Sequence, residues 1–216
     1  RLEYAIGDNP LGPFRYAGVI MDESPMGCWT NHQSIIKFKD HWYLFYHEND
    51  YSPSLDKNRS VRIDSLFFNE DGTIKKVVPT HRGVGITKAS GKIDIDRYTA
   101  ISDSGVTMSF VDTLNKFQGW KIMFNEPNAW LQYNSVDFGT DGFHTVQIRA
   151  ISEYGGSIQI RLDSKNGEAI SEIIIPSGAE WKTIDTKLLK SLSGIHNLFF
   201  IKNESNPVEI DWASFK

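Results

Sequence analysis

Thr145-Val146-Gln147-Ile148-Arg149-Ala150-Ile151-Ser152 and Ser157-Ile158-Gln159-Ile160-Arg161-Leu162-Asp163 decide the fold class. In both runs apolar and polar residues alternate with a period of two. Val146, Ile148 and Ala150, then Ile158, Ile160 and Leu162, form apolar rows, and Gln147, Arg149, Gln159 and Arg161 form polar ones. Strands with one face in a core and one in water carry this pattern. Gly155-Gly156 between the runs predicts a turn, so the pair reads as an antiparallel hairpin.

The same signals spread outward over the chain. Ser34–Phe38 and Trp42–His47 read as a hairpin across Lys39-Asp40-His41, and Arg59–Phe68 as a strand ending at the turn Asn69-Glu70-Asp71-Gly72. Trp120–Phe124, Trp130–Phe138, Ser171–Ile175, Trp181–Thr186, Leu198–Ile201 and Val208–Phe215 are further strands. Lys187–Leu192 is the one helix-like stretch, too short to stand alone. The fold class is therefore all-β. The small, Gly-rich stretch Gly83–Gly91 predicts a boundary, with residues 1–86 before it and a β-sandwich over 87–216 after it.

Composition narrows the function. With 216 residues and 12% aromatics the chain has the apolar content for a sizeable core. A net charge of −4 argues against a nucleic-acid partner, which needs clustered positive charge. No apolar run is long enough to span a membrane. The single cysteine, Cys28, excludes an intrachain disulfide and a cysteine zinc cage; beside Trp29 it reads as a partly buried thiol. HExxH, GxSxG and Gly-rich phosphate-loop patterns are missing.

Polar residues that do not belong to turns gather at Trp29-Thr30-Asn31-His32-Gln33-Ser34 and at His47-Glu48-Asn49-Asp50, with Arg59 opening the next strand. A histidine before a strand is more often a hydrogen-bonded structural residue than a ligand. Asp22, Glu23, Glu48 and Asp64 lie in no catalytic pattern and read as surface charge. Asp94 and Asp96 alternate on a presumed strand, so both carboxylates face the same way. With Asp211 they make a hard oxygen set suited to Ca²⁺. Trp130 and Trp212 sit inside strand patterns and read as core, while Trp120 is open to either reading. Asn58 and Asn203 begin Asn-x-Ser triplets, which occur often by chance.

Two ordered sets of motifs resemble known families. Tyr4–Phe14, Asn31–Ile36, Lys39–His47, Arg59–Asp64 and Asn69–Ile74 resemble the last blade of glycoside hydrolase family 43. That resemblance implies a five-bladed β-propeller that cleaves xylosyl or arabinofuranosyl linkages with inversion, a reaction needing one carboxyl as general acid and another as general base. The family's three acidic residues come from earlier blades, so no catalytic residue is assigned in this sequence. His32 matches the family histidine near the propeller axis that holds a central ion, and Arg59 the arginine that reaches the sugar. Gln33 stands where the family has a second histidine.

Trp130–Gly139, Gly155–Asp163, Asn166-Gly167, Ile174-Ile175-Pro176, Trp181, Gly194-Ile195-His196 and Ile210–Phe215 resemble carbohydrate-binding module family 6. This implies a jelly-roll sandwich with a structural Ca²⁺, matched at Asp94, Asp96 and Asp211, and an aromatic cleft for sugar. Trp181 matches one cleft aromatic. Met123 stands where a tyrosine is usual, with Trp120 and Phe124 as displaced substitutes, and Glu209 stands where asparagine is usual, with Asn206 close by.

The combined expectation is the C-terminal part of a hydrolase acting on plant hemicellulose, secreted or periplasmic although no leader is visible. Its partners would be cell-wall polysaccharide or oligosaccharide and the missing propeller blades, on a parent or a partner chain. The alternative is a non-catalytic binding or structural module.

Overall fold

The computed structural model describes residues 1–23, 28, 31–52, 55, 57–140 and 142–216. Trp29 and Thr30, singled out above, lie outside the described residues. The chain divides into two units, Arg1–Val84 and Gly85–Lys216.

In the first unit, β1 (Leu2–Ile6) pairs antiparallel with β2 (Arg15–Met21), and β3 (Ser34–Phe38), β4 (His41–Glu48) and β5 (Ser60–Leu66) form a three-stranded antiparallel sheet. The β3–β4 turn is tighter than three residues. Lys39 and Asp40 both take positive φ (46° and 65°), the two-residue turn whose twist matches the strands it joins. Alternation on β4 and β5 sends Leu44, Tyr46 and Glu48, with Arg62, Asp64 and Leu66, to the buried face. The apolar members of that face join Leu2, Ile20, Met21 and Val77 in one cluster. β3 is exposed along its whole length.

The second unit is a β-sandwich. One sheet runs in the order β15 (Lys182–Leu192), β12 (Phe143–Ile151), β17 (Val208–Phe215), β10 (Trp120–Phe124), β9 (Val106–Phe110), with β7 (Ile93–Asp94) also on β17. The other runs β14 (Ala169–Ile175), β13 (Gly156–Leu162), β16 (Ile195–Ile201), β11 (Trp130–Asp137), β6 (Thr87–Lys88), with β8 (Ala100–Ile101) also on β11. From β10 to β17 every connection except β13 to β14 crosses between the sheets, a jelly-roll arrangement. The inner rows of both sheets are fully buried, with Phe124, Phe138, Phe200 and Phe215 the largest side chains.

Four local readings change. The two alternating runs are strands, but not partners: β12 pairs with β15 and β17, and β13 with β14 and β16. Their apolar rows meet across the core. Period-two alternation fixes which face is buried and is silent on whether a turn leads to a hairpin or to the opposite sheet. Lys187–Leu192 is the second half of the long strand β15, because pairing with β12 outweighs its weak helical spacing. Thr87 and Lys88 are not linker but strand, parallel to β11 at Val136 and Asp137. Asp94 ends β7 and Asp96 lies in the turn beyond it, so strand alternation does not relate the two.

Candidate functional site

The first unit concentrates its chemistry where the β4–β5 apolar row turns polar. Cross-strand pairing sets Tyr46 opposite Arg62 and Leu44 opposite Asp64. Tyr46 Oη donates to Asp64 Oδ2 at 2.6 Å, and Thr80 adds its backbone N–H at 3.0 Å and its hydroxyl at 2.7 Å. Burial, and then the bond to Asp64, push the Tyr46 phenol far above its ordinary pKa. Arg62, 4% exposed, donates from Nη2 to His81 Nδ1 at 3.0 Å and lies over the Tyr51 ring at 4.7 Å. His81 Nε2 is 3.0 Å from Asp50 Oδ2, and Arg62 Nε is 4.0 Å from Glu48 Oε2.

Charge flow through this cluster follows from the donors. Guanidinium has only protons to give, so His81 Nδ1 accepts and its proton resides on Nε2, aimed at Asp50. Burial, reinforced by hydrogen bonding to Asp50, pushes the Glu48 carboxyl up to about 8, so at neutral pH it is mostly protonated and donates to Asp50. Burial opposes ionisation of Asp50 as well, but the donors His81 and Glu48 outweigh it and hold the Asp50 carboxyl below its ordinary value. Glu48, Asp50 and His81 place ligand-type atoms within 4.8 Å of one another, the one such group among the described residues. It is a poor cation site. The His81 nitrogen facing Asp50 is protonated, and Arg62 already supplies the positive charge.

Glu48 and Asp64, expected at the surface, are therefore buried members of this network, at 5% and 6% exposure. Arg59 is exposed just ahead of β5, and the buried arginine is Arg62, three residues further on. His32 is exposed; its backbone N–H points to His47 Nδ1 at 3.4 Å and its ring stacks on His47 at 5.7 Å. Cys28 is buried, with Sγ 3.6 Å from the His47 carbonyl.

The sandwich carries a cleft of about 430 Å³ at one edge of the β10–β17–β12 face, lined among others by Met123, Ile151, Glu153, Tyr154, Pro207 and Glu209. Glu209 opposes Met123 across the strands and takes a salt bridge from Lys121 at 2.6 Å. Lys121 lies 5.9 Å, and Arg149 4.7 Å, from the centroid of the Trp181 ring. Arg149 also reaches Asp211 at 2.5 Å. Asn206 donates to the Gly155 and Tyr154 carbonyls at 3.0 and 3.4 Å and so holds the turn that presents Tyr154, 66% exposed.

Of the predicted residues Glu209 lines this cleft; Asn206 braces the turn that carries Tyr154, Trp181 is linked to Glu209 only through Lys121, and Trp120 is not part of it. Trp120 shares the face of β10 with the buried Ile122 and Phe124, and stacks on Phe110 at 4.0 Å. Tyr154 is the aromatic that the sequence reading passed over. Its signal was an aromatic next to the Gly155-Gly156 turn, where the backbone leaves the sheet. Trp130 and Trp212 are half-buried rather than core.

Asp96 and Asp211 are both 5% exposed, and Asp211 sits where the β12–β17 register shifts. The Lys92 ammonium is 2.7 Å from Asp94 and 3.9 Å from Asp211, and Arg97 is 3.5 Å from Asp96. Buried carboxylates require a cation. Here Lys92 stands between Asp94 and Asp211, Arg149 also neutralises Asp211, and the three carboxylates do not bring their oxygens within 4.8 Å of one another, so the arrangement described is a set of ion pairs and not a formed cation site.

The sequence profile of carbohydrate binding module (family 6) matches residues 99–216, more than half of the chain. The chain belongs to carbohydrate-binding module family 6. An arabinoxylan arabinofuranohydrolase of Paenibacillus polymyxa is 26% identical over 211 residues, 92% of this chain and 33% of that protein. A β-xylosidase of Xylanibacter ruminicola is 47% identical over 76 residues, 34% of this chain and 23% of that protein. A solved glycoside hydrolase family 43 arabinoxylan arabinofuranohydrolase from Bacillus subtilis, in complex with cellotetraose, aligns with a TM-score of 0.61 over 99% of this chain and 47% of that one. At 23% identity that alignment speaks for the fold alone. The family 6 chain therefore spans about a third of the first curated relative's length. It is related to family 43 glycoside hydrolases.

Proposed function

We propose that this chain is the C-terminal part of a glycoside hydrolase acting on xylosyl or arabinofuranosyl linkages of hemicellulose, with its family 6 sandwich as a carbohydrate-binding module. The observation that carries the reading is the cleft in which Tyr154 stands beside Glu209, with Trp181 reached through Lys121. Aromatic faces with a few fixed polar groups suit a pyranose, which offers polarised C–H groups to a π-system and hydroxyls to charged side chains. In the first unit, β3–β4–β5 would supply a propeller blade. Arg59 would reach the substrate, and His32 would help hold an ion at the axis. The general acid and base would come from blades outside this sequence. A polysaccharide substrate fits a secreted or periplasmic protein.

Retardation of the chain in gels containing arabinoxylan tests the cleft. The expected result is retardation that falls at least several-fold in Tyr154→Ala and in Trp181→Ala; unchanged mobility in arabinoxylan, or retardation that both variants keep, refutes the assignment. Hydrolysis of aryl arabinofuranoside by the purified chain alone would refute the absence of catalytic acids. Asp94, Asp96 and Asp211 would hold Ca²⁺, which would neutralise buried charge and tie β7 to β17. EDTA should then lower the melting temperature of the sandwich by mass action, and added Ca²⁺ should restore it.

One observation favours a second reading. Arg149 and Lys121 both lie over Trp181, so its face is partly claimed by cations. A sandwich that serves structurally and binds no glycan would show no retardation in any glycan gel.

A further inference from the structure

The outer face of the other sheet carries a second groove. On β16, Leu198 and Phe200 point into the core, which leaves Phe199 and Ile201 on the outer face. They are nevertheless only 6% and 9% exposed, because neighbours on that face cover them. Trp130 is opposite Ile201 in the pairing of β11 with β16, and its ring lies 6.0 Å from that of Phe199. Trp130, Arg161, Lys165, Asn128, Asn166 and Asn203 wall a hollow of about 300 Å³ over Ile201. That is at the small end of ligand-sized pockets, roughly 300–1,000 Å³.

Its charge is one-sided. Two cations and three amides line it, with no carboxylate among the described lining residues. Arg161 is pre-set: Nε donates to Gln159 Oε1 at 2.7 Å and Nη1 to the Gly167 carbonyl at 3.0 Å, which fixes the guanidinium plane and leaves Nη2 without a hydrogen bond among the described residues. Lys165 is exposed and, for want of an anion, rests its ammonium 5.1 Å from the centroid of the Trp130 ring. An ammonium over an aromatic face is held weakly at an exposed site and is readily drawn off by a carboxylate, which would free the ring.

We propose that this groove binds an acidic saccharide, a hexuronic acid unit whose carboxylate lies between Arg161 and Lys165 and whose ring lies against Trp130. The three asparagines would meet its hydroxyls. The inference rests on the carbohydrate-binding reading for its class of ligand, but it concerns a different sheet face and different residues from the Tyr154 cleft.

The test is calorimetric titration of the whole chain with a glucuronic-acid-substituted xylo-oligosaccharide and with the same oligosaccharide after reduction of its carboxyl to the alcohol. The acidic form should bind about tenfold tighter at low salt, the worth of one good charge-assisted contact. That advantage should shrink as added NaCl shortens the Debye length from roughly 10 Å to 3 Å. Lys165→Ala, an exposed position that leaves folding intact, and Arg161→Gln should each remove most of the advantage; Tyr154→Ala should leave it. Equal affinity for the two forms overturns the proposal, as does an advantage that survives both groove variants or disappears in Tyr154→Ala. Binding of the acidic form alone would uphold the groove and sink the cleft. Binding of the neutral form alone, lost in Tyr154→Ala, would do the reverse.

Discussion

Among the described residues, 26 buried apolar side chains form one continuous core in the sandwich, whereas the first unit buries seven in its cluster and leaves Ile36, Phe38, Trp42, Phe45 and Phe68 exposed. Its buried face instead holds Glu48, Arg62 and Asp64. The sandwich closes on itself: two sheets cover each other's apolar rows, and the large apolar side chains left outside, such as Leu114, Phe117, Ile174 and Leu189, are not part of those rows. The sheet β3–β4–β5 covers only one of its own faces and offers an exposed edge strand, a form that soluble proteins ordinarily cover or charge. The contrast teaches where each unit spends its order. The sandwich is held by packing, and the first unit by a hydrogen-bonded network that packing surrounds.

That contrast breaks most visibly under substitution. Phe124→Ala or Phe215→Ala in the sandwich should cost about 3–5 kcal/mol, the usual loss for a fully buried phenylalanine, and should shift only the sandwich transition in a calorimetric melt. In the first unit the corresponding loss should come from a polar residue. Arg62→Ala removes the donor to His81 and the buried positive charge that favours ionised Asp50, and should cost about 3 kcal/mol or more, seen in the other transition. If Arg62→Ala moves that transition less than Val61→Ala, at a position 78% exposed, the network is not what holds the unit.

A second test sharpens the contrast through pH. Between the ordinary glutamate value of 4.5 and about 8, the folded first unit keeps on Glu48 a proton that the unfolded chain has released. Folding therefore takes up a proton across that window, and stability falls as pH rises through it, then levels off. On the acid side Asp50 acts the other way. Its carboxyl is held below the ordinary 3.8, so its contribution is present above that value and is lost as pH falls further. Urea unfolding of the first unit should therefore be hardest near the ordinary carboxylate range. Glu48→Gln, which keeps a donor to Asp50 and cannot ionise, should flatten the alkaline slope, and an unchanged slope would place the titrating group elsewhere.

Most of the longer strands appear where alternation and β-branched content fall, because these are local properties; β2 and β9 went unrecognised. Pairing was not legible. Nothing in Ser152–Gly156 distinguishes a turn back to a neighbour from a step to the facing sheet, and Lys187–Leu192 shows leucines whose weak helical spacing says nothing of the long partner strand β12. The cleft was legible only in part: Glu209 and Met123 line it, while Asn206 acts through the turn it braces and Trp181 through Lys121. Tyr154 was missed because an exposed aromatic at a turn has no periodic signature. Arg62 was missed for a related reason: an arginine inside a strand reads as solvated until the residues covering it, His81 and Tyr51, are known to be near.

The smallest expected effect lies in the β3–β4 turn, and it probes the same edge from the local side. Lys39 and Asp40 both occupy the left-handed region, where a side chain crowds the following carbonyl at roughly 1–2 kcal/mol per residue and Asp tolerates it better than Lys. Asp40 is 97% exposed in its side chain, and its one partner among the described residues is Lys37 at 3.5 Å, a surface pair worth little. Asp40→Gly should therefore stabilise the first unit by about 0.5–1 kcal/mol, less than the relief of strain alone, because glycine also loosens the unfolded chain. Asp40→Val should destabilise it by more than that, since a β-branched residue fits the region worst. Both changes should leave the sandwich transition where it is. If Asp40→Gly lowers the first transition, the hairpin is held by its side chains and not by its turn, and the exposed strand β3 is more firmly tied to β4 than its burial implies.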